Sequence, residues 1–333
     1  MAEETTEIPP TATKSTSKEA ATTADGWTPY LSSEAAPQGH VVELEPCETR
    51  DKPCHLYITG VDNIEVLDTT LNHSNSWKTK PVMLMIHDIF GPNAGRHRQL
   101  ADEWAKRIEG VVVLVDCYQG KGLVENTGEE LQQQKQPPRT MGFNLFTAKT
   151  LWKYASGGAT AFLKEYPFDT DLSPLLIHQV LPFLIKQKQV GTFGMVGFSW
   201  GSWVVMKACA DPELSKYISC ACHFHPSIKD TETMWGGDDL HLCRQILCPQ
   251  YFLVTTSEPK EWWPAGDAED TLMRNKKVPY GSVEFSISPT EIHGFMTRGS
   301  SSILDKESTV VEIERGVKTS TEFLLKHLNS SKE

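Results

Sequence analysis

A nucleophile, a base and an acid stand out in this chain by residue type and spacing. Gly197-Phe198-Ser199-Trp200-Gly201 sets a serine between two glycines, directly after an apolar stretch and directly before a helix-compatible one. A serine at such a strand-to-helix corner is forced into a tight turn. The flanking glycines omit the Cβ atoms that would strike the neighbouring strand and helix, and the hydroxyl is left facing outward. The first N–H groups of the following helix have no partner inside it, so they point at negative charge developing on a group held by the serine. Half of an oxyanion hole is thereby in place. A solvated serine in a glycine-flanked turn is the plain alternative.

Neutral serine is a poor nucleophile, so a base must take its proton and a third group must hold that base in the right tautomer. His293, in Pro289-Thr-Glu-Ile-His-Gly-Phe295 just past the last strand-like run, is the expected base. Glu258 follows the strand-like run 251–254 and stands where the acid is expected. Glu261, Asp267 and Asp270 compete a few residues on, and each reads as a solvated loop charge. Serine, acid, histidine is the chain order found in α/β-hydrolases.

The elements that must position these residues follow from hydrophobic periodicity. Runs 40–44 and 54–59 alternate like half-buried strands. Val82-Met-Leu-Met-Ile86 and Val111-Val-Val-Leu-Val115 are continuously apolar, as strands buried on both faces must be. Between them residues 96–109 carry Leu100, Trp104 and Ile108 on one helical face, so strand, helix and strand form a parallel crossover. Further strands are expected at 193–196, 217–224, 251–256 and 282–287. Helices are expected at 172–188 despite Pro182, and at 202–210, 240–246, 268–276 and 310–327. Such alternation calls for an α/β fold: one mostly parallel central sheet with helices on both faces. Residues 118–166 are less regular and read as an excursion able to cover a pocket, with 132–138 a low-complexity linker.

His87-Asp-Ile-Phe-Gly91, Gly197-Phe-Ser-Trp-Gly201, Phe224-His225-Pro226-Ser227 and His293-Gly-Phe295 occur in the order and at about the spacing of the dienelactone hydrolase family, which residues 39–327 resemble. The resemblance implies an α/β-hydrolase fold and cleavage of a small ester or lactone, as by carboxymethylenebutenolidase. It implies Ser199 as nucleophile, His293 as base, Glu258 as acid, and the N–H groups of Ile89 and Trp200 as oxyanion hole. Asp88 matches an acidic position that helps control ionisation of the nucleophile, and Arg298 an arginine that meets a substrate carboxylate. Serine here replaces the family's usual cysteine and glutamate its usual aspartate, so the nucleophile needs full help from the base. No metal ion or organic cofactor is needed. A thioesterase or acyl-protein hydrolase would use the same machinery, and a catalytically silent member binding a ligand or partner is the third reading. Trp200, Trp203, Trp262 and Trp263 could line a pocket, although such residues are more often core or packed surface.

The 333 residues, 39% hydrophobic and 23% charged, suit a globular chain of one large domain at 27–333. Residues 1–26 have almost no large apolar side chains and read as a disordered tail. A net charge of -11 argues against nucleic acid as a partner. No apolar run is long enough for a membrane span and no targeting signal is evident, so a cytoplasmic monomer or homodimer acting on a small molecule is expected. The eight cysteines form no dense disulfide framework. Cys220-Ala-Cys222-His223-Phe-His225 would alternate between strand faces, which scatters its potential metal ligands.

Overall fold

The computed structural model describes residues 37–62, 77–123, 157–298 and 307–330. Its strands are β1 (His40–Leu44), β2 (Cys54–Thr59), β3 (Val82–Ile86), β4 (Val111–Val115), β5 (Phe193–Phe198), β6 (Ile218–Phe224), β7 (Gln250–Thr255) and β8 (Val283–Ser288). They form one sheet in the order β1-β2-β4-β3-β5-β6-β7-β8. Strand β2 runs antiparallel to both neighbours, and every pairing from β4 across to β8 is parallel. Every residue of β3, β4, β5 and β7 is buried, which explains the unbroken apolar character of the first three, while β7 begins and ends on the buried polar residues Gln250 and Thr255. Strand β1 lies at an edge and alternates between partly buried and exposed positions.

The helical elements are α1 (His97–Arg107), α2 (Gly158–Leu163), α3 (the winding at 168–187), α4 (Trp200–Ala210), α5 (Ile228–Met234), α6 (Asp239–Cys243), α7 (Asp267–Arg274), α8 (Phe295–Arg298) and α9 (Glu307–Ser330). Because successive strand residues point to opposite faces, the sheet divides the interior into two cores. Met83, Met85, Leu114, Val196, Cys222 and Leu253 pack against Leu100 and Trp104 of α1 and Ile313, Val317 and Leu324 of α9. Leu84, Ile86, Val113, Met195, Ala221 and Phe252 pack on the other side against α3, α4 and α7. Burial of each Leu, Ile, Val, Met or Phe side chain among them contributes about 1.5–3 kcal/mol.

Several elements differ from their sequence expectations. The winding expected at 172–188 starts at Phe168 and is built of three wide π-type segments, Phe168–Leu172, Leu175–Val180 and Phe183–Gln187. Pro174 and Pro182 each precede such a segment; proline offers no N–H to the i−4 carbonyl, so the turn widens instead of closing as an α-helix. Helix α5 has no counterpart among the expected helices, because Ile-Lys-Asp-Thr-Glu-Thr-Met carries apolar residues only at its two ends. Helix α4 starts at Trp200 instead of residue 202, and α9 extends to 307–330. The expected tail at 1–26, the linker at 132–138 and most of the 118–166 excursion lie outside the described residues.

Candidate active site

Ser199 has φ 52° and ψ −117°, a backbone conformation that an L residue holds only when its surroundings over-determine it. They do. Its N–H donates to the Phe224 carbonyl (3.0 Å), and its own carbonyl accepts from the N–H groups of Ser202 (3.1 Å) and Ser227 (3.0 Å). Both flanking glycines are dictated by space. A Cβ on Gly197 would sit 2.6 Å from the Gly201 carbonyl oxygen, and one on Gly201 would sit 2.3 Å from that of His87. The corner therefore packs α4 directly on the end of β3.

Ser199 Oγ lies 2.8 Å from His293 Nε2, and His293 Nδ1 lies 2.8 Å from Glu258 Oε1. A carboxylate only accepts, so Nδ1 carries the hydrogen and Nε2 is left to accept the serine O–H. The second Glu258 oxygen accepts the Thr255 N–H, and its backbone carbonyl accepts Trp263 Nε1–H at 2.9 Å. Glu258 is thus fixed at both ends, with its side chain 1% exposed, while the imidazole is 34% exposed and open to a reactant. Of the competing carboxylates, Glu261 pairs with Lys229 at 2.6 Å and Asp270 with Arg274 at 2.9 Å, while Asp267 opens α7.

The loop bearing His293 is fastened to α9. Arg315 donates to the Ile287 carbonyl (3.1 Å) and Ser286 Oγ (2.7 Å), and Thr309 Oγ1 lies 3.1 Å from both oxygens of buried Glu291. Just beyond, Gly294 adopts φ 91° and Phe295 is fully buried, so the imidazole is anchored on both sides.

Ile89 occupies a turn closed by Gly91 N–H donating to the Asp88 carbonyl (3.1 Å), with Phe90 N–H on Asp88 Oδ1 (2.9 Å). The Ile89 carbonyl accepts Leu123 N–H at 3.1 Å. Trp200 is the first residue of α4, where N–H groups have no intrahelical acceptor. Asp88 is fully buried beneath this turn; its other oxygen accepts Thr297 Oγ1–H at 2.9 Å, and its N–H donates to His97 Nε2 at 3.3 Å. These bonds hold the turn in place. Arg298 closes α8, and its side chain lies outside the described residues.

Three contributors escaped the sequence reading. His87 donates from Nδ1 to the Asp88 carbonyl (2.6 Å) and accepts Cys117 N–H at Nε2 (3.1 Å), tying the ends of β3 and β4 together. Complete burial lowers its pKa to about 4 and keeps it neutral. Trp263 braces the Glu258 loop. Ser227 brings a second hydroxyl to 3.2 Å from Ser199 Oγ. The only sign of it in the sequence is the Phe224-His225-Pro226-Ser227 motif. Trp203 and Trp262 are core residues whose indole N–H groups bond Glu232 (2.6 Å) and Asp239 (2.7 Å), and Trp200 is 1% exposed. Cys220 and Cys222 face the core on one side of β6 and Ala221 the core on the other. Among the described residues no group of three His, Cys, Asp or Glu side chains is arranged to hold a metal ion, and no helix is long and apolar enough to cross a membrane.

No protein-family model and no curated protein matches the chain. Solved structures do. A Klebsiella pneumoniae protein provisionally described as a dienelactone hydrolase superposes with a TM-score of 0.50 at 11% identity, covering 86% of this chain and 98% of its own. An esterase of Pyrococcus furiosus gives 0.48 at 13% identity, over 91% and 96% of the two chains. The dienelactone hydrolase of Anabaena variabilis gives 0.42 at 15%, over 87% and 98%. The reversed second strand, the parallel sheet from β4 to β8 and the first of these likenesses together show that the chain has the α/β-hydrolase fold.

Proposed function

We propose that this chain is a serine hydrolase of the dienelactone hydrolase type that cleaves a small ester or lactone through an acyl-enzyme. The observation that carries this reading is the unbroken relay from Ser199 Oγ through His293 to Glu258, with both hydrogen bonds at 2.8 Å on a strained strand-to-helix corner. Ser199 attacks the carbonyl carbon as His293 Nε2 takes its proton. The buried Glu258 carboxylate stabilises the imidazolium, and the N–H groups of Ile89 and Trp200 receive the oxyanion. His293 then protonates the leaving alcohol and activates a water that releases the acid. These residues carry the chemistry themselves.

Hydrolysis of p-nitrophenyl acetate by the wild type and Ser199→Ala tests this. Loss of the nucleophile is expected to lower kcat by about 10⁴-fold or more. Equal rates would remove Ser199 from the reaction. Labelling of Ser199 by a fluorophosphonate, found by mass spectrometry, distinguishes an active nucleophile from a site that only binds.

A further inference from the structure

Ser227 stands in the corner between β6 and α5, and this corner is locked onto the nucleophile. Its N–H donates to the Ser199 carbonyl at 3.0 Å, its carbonyl accepts the Thr231 hydroxyl at 2.5 Å, and His225 two residues earlier holds φ 38° with its N–H on the Leu253 carbonyl. The backbone that carries the side chain is therefore fixed beside Ser199. Its Oγ lies 3.2 Å from Ser199 Oγ and 3.4 Å from His293 Nε2, completing a triangle whose third side is the 2.8 Å serine–histidine bond.

Two hydroxyls converge on one imidazole lone pair, and only one can donate to it. The shorter contact belongs to Ser199, so in the free enzyme the Ser227 O–H donates to Ser199 Oγ. Once Ser199 is acylated its oxygen becomes an ester oxygen, a weak acceptor with no hydrogen to give. The lone pair on Nε2 then turns to the incoming water, and the Ser227 hydroxyl, held within reach of the same place, is released to bond that water too.

Resting on the assignment of Ser199 as the acylated residue, we propose that Ser227 is a positioning residue for deacylation, orienting the water that attacks the acyl-enzyme. Ser227 Oγ accepts one O–H of the water while the other points to His293 Nε2. The water oxygen bonds the acyl carbon, its proton passes to Nε2, the bond from that carbon to Ser199 Oγ breaks, and the proton returns to Ser199. Ser227 keeps its own proton throughout.

The two half-reactions separate with p-nitrophenyl N,N-dimethylcarbamate. Release of p-nitrophenol reports carbamoylation, and the slow recovery of esterase activity reports hydrolysis of the carbamoyl-serine. In Ser227→Ala, recovery is expected to slow by about tenfold while carbamoylation changes by less than about threefold. Ser227→Cys, which fills the same space with a weakly bonding thiol, behaves like the alanine variant. Ser227→Thr, which keeps the hydroxyl, restores recovery. Equal slowing of both steps, no slowing, or failure of threonine to rescue overturns the inference while leaving the hydrolase reading intact. A wild-type enzyme that takes no carbamoyl group at Ser199 overturns both.

Discussion

Glu258 meets His293 with one carboxylate oxygen, at 2.8 Å from Nδ1, while its other oxygen is bound to the backbone N–H of Thr255 at the end of β7. The carboxylate is therefore aimed by the strand it follows, and the longer glutamate stem is taken up by folding back on that strand. On the proposed mechanism, Glu258→Gln keeps the shape and removes the charge that would stabilise the imidazolium. A fall in kcat of about 10³–10⁴-fold with a nearly unchanged KM is expected for p-nitrophenyl acetate. Glu258→Asp cannot reach both partners and should fall between the two.

The corner at Ser199 is intolerant of a single methyl group. Gly201→Ala forces a Cβ against the His87 and Ile86 carbonyl oxygens, and Gly197→Ala against Gly201 and Ser202. Each should lower unfolding free energy by about 1–3 kcal/mol or more and depress activity with it. Gly191→Ala, at an exposed position where a Cβ meets nothing within 4 Å, is the control and should leave the denaturation midpoint unchanged or slightly raised.

Acid should weaken the fold before the carboxylates titrate. Burial lowers the pKa of His87 and of His223 from 6.5 to about 4, and His223 donates from Nε2 to Gln250 Oε1 at 2.8 Å. Between those values the unfolded chain binds protons that the folded chain refuses, so stability is full above pH 6.5 and falls as pH drops toward 4. Urea midpoints measured from pH 7.5 to 5 should decline over that window. His223→Gln removes one titrating group and should flatten the decline.

A buried ion pair fastens the lead into β2 to α3. Arg50 Nε lies 3.2 Å from Asp171 Oδ1, and Arg50 Nη1 donates to Gln179 Oε1 at 3.0 Å, with the arginine side chain 2% exposed. Asp171→Ala leaves that guanidinium short of its counter-charge, and a loss of about 3–5 kcal/mol is expected in chemical denaturation. Replacing both Arg50 and Asp171 with methionine should restore much of it.

The strands, and the serine, histidine and glutamate that the fold brings into hydrogen-bond contact, each carry a local signature in the sequence. Val82–Ile86 and Val111–Val115 are apolar without a break, the glycines around Ser199 announce a corner, and His293 follows the last strand. What escaped depends on contacts between distant segments. Apart from its motif, nothing near Ser227 says that it will stand beside Ser199, since that follows from the parallel pairing of β5 with β6. Glu258 is expected already from its place after the 251–254 run, and its neighbour Glu261 pairs instead with Lys229 of α5. The π-type windings of α3 were hidden for a different reason: two prolines can end a helix, kink it or widen it, and the surrounding packing decides which.

The candidate machinery hangs from the ends of β3, β5, β6, β7 and β8, and the parallel pairings that join these strands bring together segments well separated in sequence. Such non-local closures form slowly, because chain entropy must be surrendered before the contacts reward it. During refolding, helix signal and compaction should therefore return ahead of turnover, with catalytic competence the last property to be regained.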